Sequence, residues 1–400
     1  MKELLRKWYA IYLLLLIVVA LLSSLLANNK PLYCKIDNTV YFPAFKEWIW
    51  GKTENNIFVN EEWKQKNIQS IIWSPIPYKY FQQNTNESLF QPFTKESISA
   101  SHWLGTDHLG RDIFAGLING TKTALLVGIG SILLMLFFGF NLGVISGYYG
   151  NSLLKFNKIR FFLLLILLLL SIAYLIVFKH QFAIEIIDNH QFTAIIGFLS
   201  IIFILIGIII LGTKYRLNKT FVFPMDATIL KLIELINTIP KLLLLITIMA
   251  IVNRSIWTII VIIGLLGWTT IAKLTRSETL KIKEMEYITA VKILGLSDFK
   301  IIYKHIFPNI IPPILIYICF GIASSIIAEA GLSFLGLGLP ANEVSWGSML
   351  SASREYISSW WLLFFPGLAL FLTILSLHKI GEFIRKKYQP QKLQNINSYF

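Results

Sequence analysis

The sequence predicts an all-α membrane protein that crosses the bilayer several times. Of its 400 residues, 55% are hydrophobic and only 14% are charged, whereas about a quarter of the residues of soluble domains are charged. The chain also contains several apolar runs of about 20 residues, the length that crosses a bilayer as an α-helix. A net charge of +14 would suggest nucleic acid for a soluble protein. In a membrane protein, Lys and Arg in cytoplasmic loops account for such a charge, so we expect no nucleic-acid partner.

The apolar runs predict eight transmembrane helices. The predicted spans are residues 9–27, 123–146, 161–177, 192–211, 236–252, 257–271, 310–328 and 360–377. The first run follows a basic N-terminus and would also suit a secretory signal peptide. It is longer than the usual apolar core of such a peptide, about 7–15 residues, so we favour an uncleaved first span.

The connectors between these spans differ in charge, and this difference predicts their sides. One alternating set is rich in basic residues: Lys155, Lys158, Arg160, Lys214, Arg216, Lys219, Lys273, Arg276, Lys281, Lys283, Arg385, Lys386 and Lys387. The positive-inside rule places this set and both termini in the cytoplasm. The same alternation predicts that residues 28–100 are extracytoplasmic. Their many Trp and Tyr side chains would form a small folded cap or lie along the membrane interface.

Gly139, Gly143 and Gly147 recur every fourth residue in the second predicted span. Small residues at this spacing share one face of a helix and let two backbones approach closely within a bilayer. We interpret this face as a helix-packing surface, in preference to a contact with a transported solute.

The longest polar stretch between the later spans, residues 273–309, has a helical pattern of its own. Its first part carries apolar residues at helical spacing: Met285, Ile288, Val291 and Leu294. Gly295 follows at a position suited to a left-handed helix stop. Ser297 is placed to cap a second short helix, and Pro308 predicts a break at its end. Two such helices would either bind a cytoplasmic protein or rest on lipid headgroups, and geometry alone favours neither.

The same segment resembles the EAA loop of binding-protein-dependent ABC permeases. The likeness lies in residues 286–295, EYITAVKILG, and in residues 305–309, HIFPN. In that family the loop is the coupling helix that docks into a groove on the ATP-binding subunit. The resemblance assigns the following residues to an ATPase-coupling loop: Met285, Glu286, Ile288, Thr289, Ala290, Val291, Lys292, Gly295, His305 and Pro308. The Glu-Ala-Ala positions of the motif read Thr-Ala-Val here, at residues 289–291, whereas the glycine and its spacing to the proline are kept.

The resemblance also implies roles within the loop. Gly295 would fix the bend between the two short helices. Apolar side chains would pack in the groove of the ATPase, namely Met285, Ile288 and Val291. Two charged residues, Glu286 and Lys292, would lie at the rim of that groove.

Further motifs resemble the C-type permeases of dipeptide, oligopeptide and nickel importers. An outer motif before the second span consists of Gly105, Thr106, Asp107, Gly110, Arg111 and Asp112. Residues 329–338, EAGLSFLGLG, resemble the outer loop that follows the fifth core span of the family. The candidates for lining the translocation path or outer gate come from this segment: Glu329, Ser333, Phe334, Gly336 and Gly338. For Glu329, a structural role and a role in the path remain equally supported.

The resemblance covers residues 101–150 and 225–388 and implies a six-span core with an inserted pair of spans. The predicted domains are an N-terminal transmembrane helix (1–27), an extracytoplasmic aromatic-rich region (28–100), a pre-helix segment with a core helix (101–150), an inserted hairpin (151–224), the permease core with its coupling loop (225–388) and a cytoplasmic tail (389–400).

The function implied by the resemblance is that of a transmembrane permease subunit of an ABC transporter. It would import peptides or similar small solutes across the bacterial cytoplasmic (inner) membrane. The implied partners are separate ABC ATPase subunits, a second related permease subunit and an extracytoplasmic solute-binding protein, besides membrane lipid. The alternative is a membrane scaffold or sensor that uses the coupling-like loop to bind a cytoplasmic protein.

The sequence predicts no catalytic site, metal site or cofactor. The six histidines show neither metal-ligand spacing nor a pairing with a nucleophile. Residues 51–53, GKT, lack the earlier glycine of a phosphate-binding loop. The chain is therefore predicted not to be an enzyme, and ATP is expected to bind to the partner subunits.

Overall fold

Long helices dominate the computed structural model, which describes residues 6–36, 38–50, 58, 68–97, 100–152, 155–157, 220–340 and 342–388. The helices are α1 (Trp8–Leu21), α2 (Ser23–Leu26), α3 (Pro43–Trp50), α4 (Ile113–Tyr149), α5 (Met225–Thr238), α6 (Lys241–Ile251), α7 (Ile256–Lys283), α8 (Glu286–Ile293), α9 (Asp298–Ile301), α10 (Phe307–Phe334), α11 (Trp346–Ala352) and α12 (Trp361–Tyr388). A π-helical turn, Ile302–Ile306, connects α9 to α10.

Four of these helical stretches have the length and composition of a membrane span. They are α4, α7, the continuous stretch Asp298–Phe334 and α12. The predicted class, a helical protein that crosses the membrane several times, is confirmed at this level. The predicted spans 161–177 and 192–211 and the tail 389–400 lie outside the described residues.

The predicted span 236–252 is wrong in its boundaries, because two helices meet inside it. Helix α5 ends at Thr238, α6 begins at Lys241, and the two are bent by 77°. Pro240 explains the break, since proline lacks a backbone N–H and disfavours the α conformation at the residue before it. The bent pair counts as a broken span or as a re-entrant loop.

The first apolar run is also interrupted. Helix α1 has 14 residues, which gives a length of about 21 Å and is shorter than the hydrocarbon core of a bilayer. Leu22 separates it from the short helix α2. The predicted single helix over residues 9–27 is therefore two pieces.

The described residues between 28 and 112 form a polar cap that contains β-structure, which the all-α prediction missed. Its strands are β1 (Tyr33–Ile36), β2 (Thr39–Tyr41), β3 (Ile68–Ile72), β4 (Thr94–Ser97) and β5 (Ala100–His102). The first three form an antiparallel sheet in the order β2-β1-β3, and β4 pairs with β5. Cys34 and Ile36 face inward from β1, and Phe58 packs on them. Open strand edges of this kind need water, so the cap lies outside the hydrocarbon of the bilayer.

Two tryptophans fasten the cap and α11 to the helices. The buried ring of Trp361 donates a hydrogen bond from Nε1 to the carbonyl of Thr106, at 3.0 Å. Trp346 donates in the same way to the carbonyl of Leu117 on α4, at 3.1 Å. Both rings belong to one apolar core together with Ile113 and Tyr80. The cap therefore shares a core with the helices beneath it.

A buried ionic group, which we call the latch, ties the cap to the start of α4. It consists of Glu87, His102 and Asp112. Nδ1 of His102 lies 2.8 Å from Oδ2 of Asp112, and Nε2 lies 3.0 Å from Oε2 of Glu87. The other carboxylate oxygen of Asp112 accepts a hydrogen bond from the backbone N–H of Ala115 at 2.7 Å and so caps the helix.

The described residues between 145 and 232 belong to a second compact unit. In it, strand β6 (Lys155–Asn157) pairs with β7 (Thr220–Val222). The hydroxyl of Ser146 donates to Asp226, and the backbone N–H of Ala227 donates to Oδ1 of Asn151 at 2.9 Å. These bonds fix the turn at Gly150 to the start of α5.

Gly139 and Gly143 lie where α4 meets α7. A Cβ atom at Gly139 would lie 2.7 Å from the carbonyl oxygen of Trp268, and one at Gly143 would lie 2.6 Å from that of Ala272. Contacts this short leave no room for a side chain on the α4 face. The two backbones can approach closely here because glycine has no Cβ atom.

We expect Gly143→Ala to destabilise the protein. The added methyl group would meet backbone of α7, and overpacking of this kind costs about 1–3 kcal/mol. Thermal unfolding in detergent measures the loss. Gly367→Ala on α12 is the matched control, because a Cβ atom there meets nothing within 4 Å. An equal fall in melting temperature for both variants would contradict the packing role.

We expect the stability of the cap to fall as the pH rises through the pKa of His102. Burial lowers the pKa of His102, but the hydrogen bonds and charges of Asp112 and Glu87 outweigh this effect and raise it above its ordinary value. A raised pKa in the folded state stabilises the fold below the ordinary histidine pKa, near 6.5, and this stabilisation disappears at higher pH.

Limited proteolysis of the cap between about pH 5 and pH 9 tests the latch. Cleavage should accelerate at alkaline pH in the unmodified protein, and His102→Gln should abolish this dependence. His305→Gln, outside the cap, should retain it. A pH profile that His102→Gln leaves unaltered would count against the latch.

Candidate functional site

The predicted coupling loop contains the short helix that the apolar pattern indicated. Helix α8 begins at Glu286 and ends at Ile293. Gly295 has a φ of +78°, and its N–H donates to the carbonyl of Lys292 at 3.0 Å, while Leu296 N–H donates to Val291 at 3.4 Å. This is the left-handed helix stop that favours glycine. The surrounding space is open, so the backbone conformation alone selects against a side chain.

The second short helix of the loop does not end at Pro308, and that prediction is wrong. Helix α9 runs through the π-helical turn into α10. Pro308 lies in the first turn of α10, where the missing N–H has little cost. The side chain of Ser297 makes no capping hydrogen bond. The loop is therefore joined by helix to the membrane-spanning part of α10.

The apolar side chains of the loop divide into an inner and an outer set. Ile288, Ile301 and Ile306 are buried, at 3% exposure or less. The prediction that Ile288 packs in a groove of the ATPase is therefore wrong, because Ile288 faces the interior of this chain. The outer set, which we call the loop surface, consists of Ile293, Leu294, Phe299 and Tyr303, exposed by 81%, 76%, 75% and 67%.

The other residues of the predicted coupling loop are exposed or half-buried. Those that are exposed are Met285, Glu286, Thr289, Ala290, Lys292, Gly295 and Pro308, and those that are half-buried are Val291 and His305. The amide of Asn309 donates to the hydroxyl of Tyr287 at 3.2 Å and to the carbonyl of His305 at 2.7 Å. These bonds hold α8 against the start of α10, so the loop has a defined shape.

The outer motif forms a tight turn at the end of the cap. Oδ1 of Asp107 accepts from the N–H groups of Leu109 and Arg111, at 2.8 and 2.9 Å. Its Oδ2 accepts from Nε of Arg111 at 2.7 Å. Gly105 and Gly110 have φ values of +81° and +71°. Thr106 and Asp112, already described, attach this turn to α12 and α4.

The segment predicted to line a path is tightly packed. Glu329 is 1% exposed, and the hydroxyl of Ser333 donates to its Oε1 at 2.6 Å. A Cβ atom at Gly338 would lie 1.9 Å from Oγ of Ser333, so the loop after α10 folds back onto it. Gly336 allows this turn with a φ of +80°, and Phe334 lies under the guanidinium of Arg354. Within this chain these residues hold the loop in place.

A cavity of about 380 Å³ lies between the cap and the helix ends. Charged residues of both signs line it: Glu47, Lys79, Lys122 and Glu343. Glu47 is paired with Lys79 and lies 3.3 Å from Nζ of Lys30. Among the described residues, Oε2 of Glu343 is buried and has no hydrogen-bond partner, which leaves it available to a donor from outside the chain. Sequence reasoning missed this cavity because its residues come from distant segments.

In the part of the chain that the structure describes, no group of three or more His, Cys, Asp or Glu side chains could hold a metal ion. The carboxylates and His102 of the latch instead satisfy one another.

Comparison with known proteins shows that the coupling loop lies in a segment that matches a protein family. Residues 204–390 match the family described as binding-protein-dependent transport system inner membrane component. This range includes α5 to α12 and therefore the whole coupling loop.

The chain is also similar to several proteins that are named as transport permeases. The dipeptide transport system permease protein DppC of Alkalihalophilus pseudofirmus is 28% identical over 73% of this chain and 73% of its own length. The inner membrane ABC transporter permease protein YejE of Escherichia coli is 25% identical over 96% of this chain and 93% of its own. The glutathione transport system permease protein GsiD of Pectobacterium atrosepticum is 26% identical over 74% and 75%. The resemblance predicted from the motifs is thereby confirmed: residues 204–390 match the binding-protein-dependent transport family, and the chain is similar to ABC transporter permeases, among them peptide permeases.

Proposed function

We propose that this chain imports peptides or similar small solutes and that separate ATPase subunits drive it. The loop surface carries this proposal. Large apolar side chains exposed together at a polar end of a protein mark a site for a partner. The match of the surrounding residues to the family supports an ATPase as that partner.

In this proposal the loop surface packs in a groove of the ATPase, with Glu286 and Lys292 at its rim. Gly295 sets the angle between α8 and the helix that follows. Because α9, the π-helical turn and α10 are continuous, a displacement of the loop would pass directly into a membrane-spanning helix. Alternating access would follow when ATP-driven closure moves the loop and rocks the spans. The chain itself would need no cofactor.

The proposed core has six spans: α1 together with α2, α4, the bent pair α5 and α6, α7, the stretch Asp298–Phe334, and α12. Residues 151–224 would add an inserted pair and so bring the number to eight. Both termini would be cytoplasmic. One observation supports a common side, because Lys7 and Lys386 line the same cavity. The proposed domains are residues 1–27, 28–100, 101–150, 151–224, 225–388 and 389–400.

The proposed partners follow from the two polar ends. The ATPase subunits would bind the loop end, and an extracytoplasmic solute-binding protein would deliver solute at the cap end. A second related permease subunit would complete the path between them. The bacterial inner membrane is the proposed location, with the cap outside.

The proposed solute is a peptide because two features point to it. Relatives of this chain are named as dipeptide and glutathione permeases. The cavity beneath the cap offers both the unpartnered Glu343 and the exposed Lys122, and a short peptide carries both an ammonium and a carboxylate group. The packed Glu329 segment would support the outer gate without touching solute.

A scaffold or sensor that holds a cytoplasmic protein would also expose such a loop surface. Uptake separates the two functions. The chain, reconstituted in proteoliposomes with its ATPase and permease partners, should take up labelled dipeptide in the presence of ATP. A complex that binds the ATPase firmly and transports nothing would favour the scaffold.

We expect Gly295→Val to uncouple ATP hydrolysis from uptake while the protein stays in the membrane. A β-branched residue is strained at positive φ, so the two short helices would change their angle. Gly295→Asn is the matched control, because asparagine tolerates the left-handed conformation. Normal uptake by a valine variant that is stably inserted in the membrane would contradict a coupling role for Gly295.

We expect Leu294→Ser to weaken binding of the ATPase about tenfold or more, as the loss of a large apolar contact at an interface does. The melting temperature should not change, because Leu294 is exposed. Ile288→Ala should show the reverse pattern, with about 2–5 kcal/mol of lost stability. Binding by surface plasmon resonance and thermal unfolding measure the two effects. If Leu294→Ser binds as tightly as the unmodified chain, the loop surface is not the docking site.

A further inference from the structure

A basic cavity lies between the first and the last described helices. It has a volume of about 570 Å³. Four lysines line it: Lys7, Lys379, Lys386 and Lys387. One carboxylate, Glu382, also lines it, and its Oε2 lies 3.4 Å from Nζ of Lys379. In the described part of the chain, neither Lys7 nor Lys386 forms an ion pair.

The two helices that form the cavity are held together at a fixed point. The hydroxyl of Tyr12 on α1 lies 3.2 Å from Oγ1 of Thr373 and donates to the carbonyl of Ala369, at 3.4 Å, on α12. Since Lys7 precedes Tyr12 and Lys386 follows Thr373, the helices run antiparallel. Their basic ends therefore lie together, and the cavity is a feature of two packed elements.

The position of the cavity favours a lipid as its ligand. Both helices expose large apolar side chains farther along, among them Ile11, Leu14 and Phe371, so their flanks face the hydrocarbon. The lysines follow where these apolar stretches end, at the level of the headgroups. Tyr9 and Phe383 also line the cavity, and aromatic side chains are frequent at that level.

The charge of the cavity favours an anion. Four ammonium groups around one space repel one another, and a single carboxylate leaves most of that repulsion in place. A phosphodiester supplies negative charge, and its glycerol would rest against the two aromatic rings. Basic pockets between membrane helices bind anionic headgroups in this way.

We propose that this cavity binds the phosphate headgroup of an anionic phospholipid and thereby clamps α1 to α12. The site is separate from the coupling loop and from the cavity beneath the cap. The inference does not depend on which solute the chain transports. It concerns residues 7–9 and 379–387 only.

Native mass spectrometry of the full chain in mild detergent tests the site. Phosphatidylglycerol and phosphatidylcholine with the same acyl chains are the probes. Each basic side chain near an anionic surface contributes about fivefold to binding. We therefore expect Lys7→Gln and Lys386→Gln each to weaken binding of phosphatidylglycerol about fivefold, and neither to change that of phosphatidylcholine.

Two further variants make the test specific. Glu382→Gln removes the only carboxylate that lines the described cavity, so it should tighten binding of phosphatidylglycerol by about the same factor. Arg385→Gln is the matched control, because Arg385 lies in the same turn, is exposed and does not line the cavity. It should bind as the unmodified chain does. An equal loss for Arg385→Gln and Lys386→Gln would overturn the site in favour of a diffuse basic surface.

Inorganic phosphate distinguishes a lipid from a soluble anion. A lipid site should retain phosphatidylglycerol when inorganic phosphate is added in excess. Displacement by inorganic phosphate would overturn the assignment to a lipid. All four lysines are exposed, and unchanged melting temperatures will show that the variants are folded.

Discussion

Backbone N–H and C=O groups inside a bilayer have no water to bind, and each of them must find a partner within the protein. Long helices meet this requirement, and α4, with 37 residues, does so over a length greater than a membrane needs. The helices are broken or altered at particular places, such as Pro240 and the π-helical turn before α10. Strands with open edges occur in the polar cap, where water can serve them. The constraint thus divides the chain into apolar helices with polar, more varied structure at their ends.

The elements that depend on a local pattern could be predicted from the sequence. Apolar runs locate α4, α7, α10 and α12. Gly295 indicates the end of α8, because a helix stop in the left-handed conformation favours glycine. The direction of a side chain within the loop could not be predicted. Ile288 shares the apolar pattern of the loop, yet it is buried, whereas Ile293 and Leu294 are exposed. The latch was also inaccessible to sequence reasoning, since Glu87 and His102 are 15 residues apart in the sequence and no local pattern brings them together.

Two prolines, Pro240 and Pro308, affect their helices differently, and the sequence around them does not predict the difference. Two helices meet at Pro240 with a bend of 77°, whereas the helical stretch Asp298–Phe334 continues through Pro308. The two prolines follow different structures: a π-helical turn precedes Pro308, whereas an α-helix ends at Thr238, shortly before Pro240. The π-helical turn delivers the chain to Pro308 so that the proline occupies a first turn, where no N–H is required. The presence of a proline therefore does not by itself decide whether a helix is interrupted.

The two polar ends are connected by rigid elements, and this connection gives the proposed mechanism its physical basis. The loop surface is joined by continuous helix to α10. At its far end α10 carries Glu329 and Ser333, against which the following loop packs. Trp361 then links α12 to Thr106 in the cap, and Asp112 links the cap to α4. A movement imposed at the loop has a packed route to the opposite end, as a transporter that alternates between two states requires.

The central claim is that the loop binds an ATPase within a transport complex. Affinity purification of the tagged chain from native membranes under mild detergent, followed by identification of the accompanying proteins, tests it most directly. The account predicts recovery of an ATPase with a phosphate-binding loop together with a second permease-like chain. Recovery of the chain with no ATPase, from membranes in which that ATPase is present, would contradict it.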